Sequence, residues 1–204
     1  MKPNWILIAI IATGIAAVLA VVSLIFMWGV YNRHWEGPIV ETVVSVIPMP
    51  AGRLAGQPVL VKDYLRDVRS ISLFLASEEA KQQGVDRLIT IEDRKQAFER
   101  LLKELALEEL AYIRKIEITD EQMNEAIALE FNPQGAQEQE FEAYLKETYG
   151  WELDDFKSHV VRPALLTRHL AASYASDHGN DLNALEAYLD ERITRADVVR
   201  YIKF

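Results

Sequence analysis

From Trp5 to Tyr31 the chain carries no charged residue. At about 1.5 Å rise per residue, a helix over this run measures roughly 40 Å, longer than the ~30 Å hydrocarbon core of a bilayer. Beyond it, charged and apolar residues mix with the periodicity of a water-exposed domain. The pattern predicts a leader at 1–4, a membrane-spanning helix at 5–31, a short tether at 32–40 and one domain at 41–204. A cleaved signal peptide would have a shorter apolar core, about 7–15 residues, followed by a cut after small residues. Val18-Leu19-Ala20 resembles such a site, but the apolar run continues through Leu24, Ile25, Phe26, Met27 and Trp28. A retained anchor is therefore expected.

The pattern after the anchor is mostly helical. ETVVSVI at 41–47 is rich in valine and isoleucine and predicts a strand. Pro48, Pro50, Gly52 and Gly56 then break the chain, and strand character returns at 58–61, so a hairpin with a long loop is expected. Residues 62–83 predict one helix stopped by Gly84. Thr90 heads a second, running to about Lys115, whose leucines spread over several faces and suit a central position. Thr119 with Gln122 three residues on forms the pattern of a capping box. The helix it opens reaches about Phe131 and ends in Asn132-Pro133-Gln134-Gly135. Helices follow at 137–148, stopped by Gly150, and at 153–174, where Pro163 should kink the run or mark a boundary. Asp177 to Asp181 is a loop. A last helix spans 181–193, and 197–204 predicts a terminal strand pairing with 41–47, since an isolated strand would leave its backbone groups without partners.

The fold expectation is thus mostly α, with a small sheet joining the two ends of the domain. Charge sharpens the picture. All 31 acidic residues lie from Glu36 onward, against 20 of the 22 basic ones, Lys2 and Arg33 lying before, so residues 36–204 carry a formal charge of −11. That argues against nucleic acid and against electrostatic attachment to anionic lipid. Lys2 before the span and Arg33 after it nearly balance. The short leader and acidic domain favour a cytoplasmic N-terminus, an extracytoplasmic domain and a single pass through the cell membrane. Trp5, Trp28, Tyr31 and Trp35 suit the two interfaces.

Candidate chemistry is sparse. The chain has no cysteine, which removes disulfides, thiolate ligands and thiol nucleophiles. His159 and His169 stand ten residues apart on one predicted helix, about 15 Å of rise, too far to share a metal. His178 beside Asp177 and Asp181 matches no calcium-loop spacing. Gly52 and Gly56 precede no Gly-Lys-Ser/Thr, and no Gly-x-Ser-x-Gly elbow occurs. The acidic pairs Glu78-Glu79, Glu108-Glu109 and Asp154-Asp155 are expected to be solvated faces or caps. Glu108 and Glu109, if inside the bundle, would need Arg or Lys on a neighbouring helix. No cofactor, metal, small-molecule substrate or catalytic residue is expected.

Two blocks carry a resemblance: RLLKELALEELAYIRKIEITDEQMNEAI at 100–127 and FEAYLKETYGWELDDFKSHVVRPALL at 141–166. Ile116, Ile118, Thr119, Asp120 and Glu121 form the helix start, and Tyr149, Gly150, Trp151, Phe156 and Pro163 the later turn and helix. In their order and spacing they resemble the N-terminal domain of SurA-like chaperones and peptidyl-prolyl isomerases. Val59 to Leu75 resembles that family's first strand-to-helix passage, so the likeness covers roughly 59–170. It implies a domain that binds unfolded, nascent or translocated secreted polypeptides without a cofactor. Members with isomerase activity carry a further parvulin-type module of about a hundred residues, and residues 175–204 are too few for such a compact unit. Isomerase activity is therefore not carried over, and a residual isomerase stays a distant alternative. A nearer one is a membrane-tethered adaptor holding one specific protein.

A chaperone surface needs accessible apolar and aromatic groups, with charge elsewhere to keep the domain soluble. The candidates for peptide binding are Phe131, Phe141, Tyr144, Trp151 and Phe156, around the two turns.

Overall fold

The computed structural model describes residues 5–132 and 135–204, with side chains from residue 12 on. Helix α1 (Trp5–Arg33) is 29 residues long. It is long and apolar enough to cross a membrane. Leader residues 1–4 lie outside the described residues.

The first correction concerns 41–47. This segment is not a strand but most of helix α2 (Pro38–Val46). Pro38 sits in the first turn, where its missing N–H costs nothing. Val40 and Val44, one helical turn apart, are the buried residues. β-branched content argues for strand only locally, and the four-residue burial period overrides it. The tether prediction at 32–40 is corrected with it. Val30 and Val40 are both core residues, Tyr31 Oη donates to the Pro50 carbonyl at 3.0 Å, and the Lys203 amide donates to the Tyr31 carbonyl at 3.1 Å. The end of α1 is therefore built into the domain.

The hairpin is shorter than expected. Strands β1 (Pro50–Leu54) and β2 (Gln57–Leu60) pair antiparallel through a two-residue turn, Ala55-Gly56. Both turn residues have positive φ, 49° and 85°, the form whose twist matches that of paired strands. The terminal strand β3 (Val198–Arg200) pairs with β1, with Gly52 opposite Arg200 and Leu54 opposite Val198. The sheet order is β2-β1-β3. A sheet joining the two ends of the domain is present, but its central strand comes from the segment expected to be loop.

The predicted helix at 62–83 is two helices, α3 (Val61–Ala76) and α4 (Glu78–Gln83). Ser77 is extended, and its Oγ accepts the Ala80 amide, capping α4 at its N-terminus. Helix α5 (Ile91–Arg114) begins with a Thr90/Asp93 capping box and packs on α3, the sheet and the later helices. This is the central helix expected from its leucines, with Phe98, Leu102 and Ala106 fully enclosed. Thr119 and Gln122 form the expected capping box of α6 (Asp120–Ala126), which continues as a π-helical turn at Ile127–Phe131. Pro133 and Gln134, part of the expected break, lie outside the described residues.

Helix α7 (Glu138–Tyr149) ends at Gly150 in the left-handed conformation. The run predicted at 153–174 comprises α8 (Leu153–Phe156), a π-helical turn at Lys157–Val161, and α9 (Arg162–Asp177). Pro163 lies in the first turn of α9 and cannot donate to the His159 carbonyl four residues back. Arg100 Nη1 donates to that carbonyl instead, at 3.1 Å. Helix α10 (Ala184–Arg192) completes the layer. Glu108 and Glu109 have the expected partners: Arg162 grips Glu108 at 2.6 and 3.1 Å, and Arg192 grips Glu109 at 2.8 and 3.2 Å.

Candidate functional site

The turn between α7 and α8 brings aromatic side chains together. Phe74 on α3 stacks on Tyr149, with ring centres 5.7 Å apart and planes 7° apart. Tyr149 meets Tyr144 edge-on at 6.1 Å and Trp151 at 5.8 Å. Trp151 continues to Phe156 at 6.4 Å, and Phe156 takes Phe131 and Phe141 edge-on at 5.3 and 5.6 Å. A Cβ on Gly150 would lie 2.8 Å from Leu73 Cδ1, and φ there is +69°. Glycine therefore lets the end of α7 press against α3 and fixes Tyr149 and Trp151 on either side of the contact.

All five residues singled out from the sequence belong to this cluster, but they differ in exposure. Phe141, Trp151 and Phe156 are buried, Phe131 is half-buried, and Tyr144 is 43% exposed. The buried three set the shape of the region, and the accessible ring surface is that of Tyr144 with Phe74, Tyr149 and Phe131. Phe74 and Tyr149 were not singled out as binding candidates. In the sequence Tyr149 reads only as a turn residue, and Phe74 lies on another helix far away along the chain, so no local pattern connects the two.

Beside the cluster lies a mostly apolar groove lined by Ile71, Phe74, Tyr149 and Trp151, with Asp67, Ser70 and Arg100 completing it. Asp67 is 1% exposed. Its Oδ2 accepts from Arg100 Nη2 at 2.6 Å, while Oδ1 is buried without a partner, as is Trp151 Nε1. Arg100 also holds Glu104 at 2.6 Å. Arg66, next to Asp67 on α3, donates to Asp155 at 3.0 Å and to His159 Nε2 at 2.5 Å. As arginine only donates, His159 Nε2 is the acceptor. These ties join α3, α5 and the segment after the aromatic turn, so the groove is held by charged cross-braces on one side and stacked rings on the other.

Burial pushes the Asp67 carboxyl above its ordinary value, against the opposing pull of Arg100. The folded chain then holds this proton at pH values where the unfolded chain has released it. The Asp67 contribution to stability is therefore present in acid and lost as pH rises through the raised folded value. Asp67→Asn should remove that slope: plots of denaturation midpoint against pH for wild type and Asp67→Asn should diverge between the ordinary carboxylate value and the raised one. Parallel plots would contradict it.

Among the described residues, no cluster of three or more His, Cys, Asp or Glu side chains is placed to hold a metal ion. The groove offers apolar and aromatic surface, with the Asp67 carboxyl and the Ser70 hydroxyl in its lining. Fold and site together define a helical domain with a small terminal sheet, joined without a flexible linker to a helix of membrane-spanning length. Comparison with protein-family models, with curated proteins and with solved structures finds no significant match.

Proposed function

We propose that this chain is a membrane-anchored chaperone-like protein, with its N-terminus cytoplasmic and its domain outside, that holds unfolded or translocated polypeptide without chemical catalysis. The observation that carries the reading is the continuous row Tyr144–Tyr149–Phe74 beside an apolar groove. Such a surface accepts varied apolar side chains through area and ring contacts rather than through a fixed set of hydrogen bonds. The order of motifs at 100–127 and 141–166, which resembles SurA-like chaperones, supports it. The acidic balance of residues 36–204 would keep an apolar surface from self-association.

The test uses the full chain in lipid nanodiscs, because Val30 lies in the domain core and Phe26 and Tyr31 pack against it. Aggregation of a chemically unfolded model protein is followed by light scattering, with empty nanodiscs and an inert acidic protein as controls. Dose-dependent suppression is expected. Aromatic contacts contribute about 1 kcal/mol each, so Phe74→Ser with Tyr144→Ser should weaken client binding by about 30-fold. A folded chain that suppresses nothing would overturn the reading. Burial of Phe141, Trp151 and Phe156 favours an adaptor as the second reading, since a surface set by a rigid core suits one shape. Recovery of a single stoichiometric partner from membranes would select it.

A further inference from the structure

Helix α2 carries three distinct faces. Val40 and Val44 are buried in the core, and Glu41, Thr42 and Ser45 are exposed and polar. The third face is apolar: Ile39, Val43 and Val46 recur at i, i+4 and i+7. Ile39 is 77% exposed and Val46 78%, with Ile47 at the helix end 54% exposed. Val43, between Ile39 and Val46, is half-buried, so Ile39, Val46 and Ile47 carry the exposed apolar surface, and its position in the chain points to an occupant.

Helix α1 ends at Arg33 and α2 begins at Pro38. Between them the chain turns back. The Trp35 amide donates to the Gly29 carbonyl at 3.1 Å, and the Trp35 indole lies so close to Gly29 that a Cβ there would sit 2.3 Å from the ring. Trp35 is therefore level with Gly29, one turn before the end of α1. At that level Trp28 is 49% exposed and Trp35 42%, and the Arg33 guanidinium lies 4.9 Å from the Trp28 ring centre. Exposed tryptophans with an arginine at the helix end are the side chains that settle at a bilayer interface. Ile39 follows Trp35 by four residues.

From this continuity, and resting on the reading of α1 as an anchor, the geometry points to α2 as an interfacial helix. Its Ile39–Val43–Val46 face seats in the headgroup–acyl boundary of the bilayer that α1 crosses. Attachment is by apolar burial, because α2 contains no basic residue. The domain is then held to the membrane at two points, and its aromatic groove takes a fixed attitude to the bilayer.

The absence of cysteine makes single-site labelling direct. Ile39→Cys, Val46→Cys, Ser45→Cys and Ile15→Cys, each in the full chain, are labelled with an environment-sensitive fluorophore in phosphatidylcholine vesicles. Aqueous iodide and brominated lipid are the quenchers. Labels at 39 and 46 are expected to be quenched by brominated lipid and to show an iodide quenching constant about threefold or more below that of the exposed label at 45. Labels at 39 and 46 open to iodide, with the label at 15 still lipid-quenched, would overturn the interfacial helix and leave the anchor standing. Labels at 39 and 46 shielded from both quenchers would overturn it in favour of a protein contact. A label at 15 beyond reach of the lipid quencher would overturn the anchor and this inference with it.

Discussion

Gly52→Val is expected to destabilise the domain by about 3 kcal/mol, through overpacking that no rotamer change can relieve. Gly52 lies in β1, the central strand, between Val59 of β2 and Arg200 of β3. A Cβ at this position would stand 2.6 Å from Phe98 Cζ and 2.8 Å from the Val199 carbonyl oxygen. The carbonyl is backbone, so relief means moving β3. Phe98 is equally constrained, fully buried between Tyr64, edge-on at 6.2 Å, and Phe204 at 5.9 Å. The substitution therefore works against the sheet and the central helix together. Folded domains are stable by only about 5–15 kcal/mol, so the loss should appear as a large drop in denaturation midpoint. Gly56→Ala is the comparison, since no heavy atom lies within 4 Å of its Cβ and only the positive φ is strained. It should cost about 1 kcal/mol. Equal effects at the two positions would mean that Gly52 is a turn residue rather than a close-packing one.

Arg192→Ala should cost about 2–3 kcal/mol, near the lower end for breaking a buried pair because both carboxylate partners keep some solvent. Arg192 is 4% exposed and makes paired hydrogen bonds to two carboxylates, Glu109 on α5 and Asp197 just before β3. Its loss leaves those acids facing each other across a gap without their shared cation. The guanidinium holds the Asp197 carboxyl below its ordinary value. That stabilisation is present at neutral pH and is lost as pH falls through the depressed folded value. The difference between wild type and Arg192→Ala should therefore shrink in acid. A cycle adding Glu109→Gln isolates the coupling: with the acid neutralised, removal of the arginine should cost clearly less. Additive losses would show that Arg192 and Glu109 are not coupled.

These two positions differ in how far the sequence reveals them. Glu108 and Glu109 fall on a central leucine-rich helix, so the need for cationic partners follows from burial alone. Which arginines serve depends on how α9 and α10 cross α5, and nothing local encodes that. Gly52 is read from sequence as a chain break because glycine in a run with Pro48 and Pro50 most often marks a turn. Its role as the point where Phe98 approaches a strand exists only once α5 lies across the sheet.

The aromatic site divides in the same way. The five rings at 131–156 stand close in the sequence and do come together, because Gly150 reverses the chain between them. Their separation into buried and accessible rings, and the addition of Phe74, follow from α3 packing against the end of α7. The braces from Arg66 and Arg100 to Asp67, Asp155 and His159 likewise join residues far apart along the chain.

The sequence by itself determined what is local: an uncharged run of membrane-spanning length, the capping box at Thr119, the stops at Gly84 and Gly150, and the predominance of helix. Each depends on the backbone and its near neighbours, whose hydrogen bonds and charges act within a turn or two. Tertiary structure decided the state of 41–47, where valine's strand preference gave way to burial of Val40 and Val44 against α3. It also decided which strand closes the sheet, and that the end of α1 is part of the domain core. In each case local preferences differ by less than the energy of burying a side chain, so long-range packing chose the outcome.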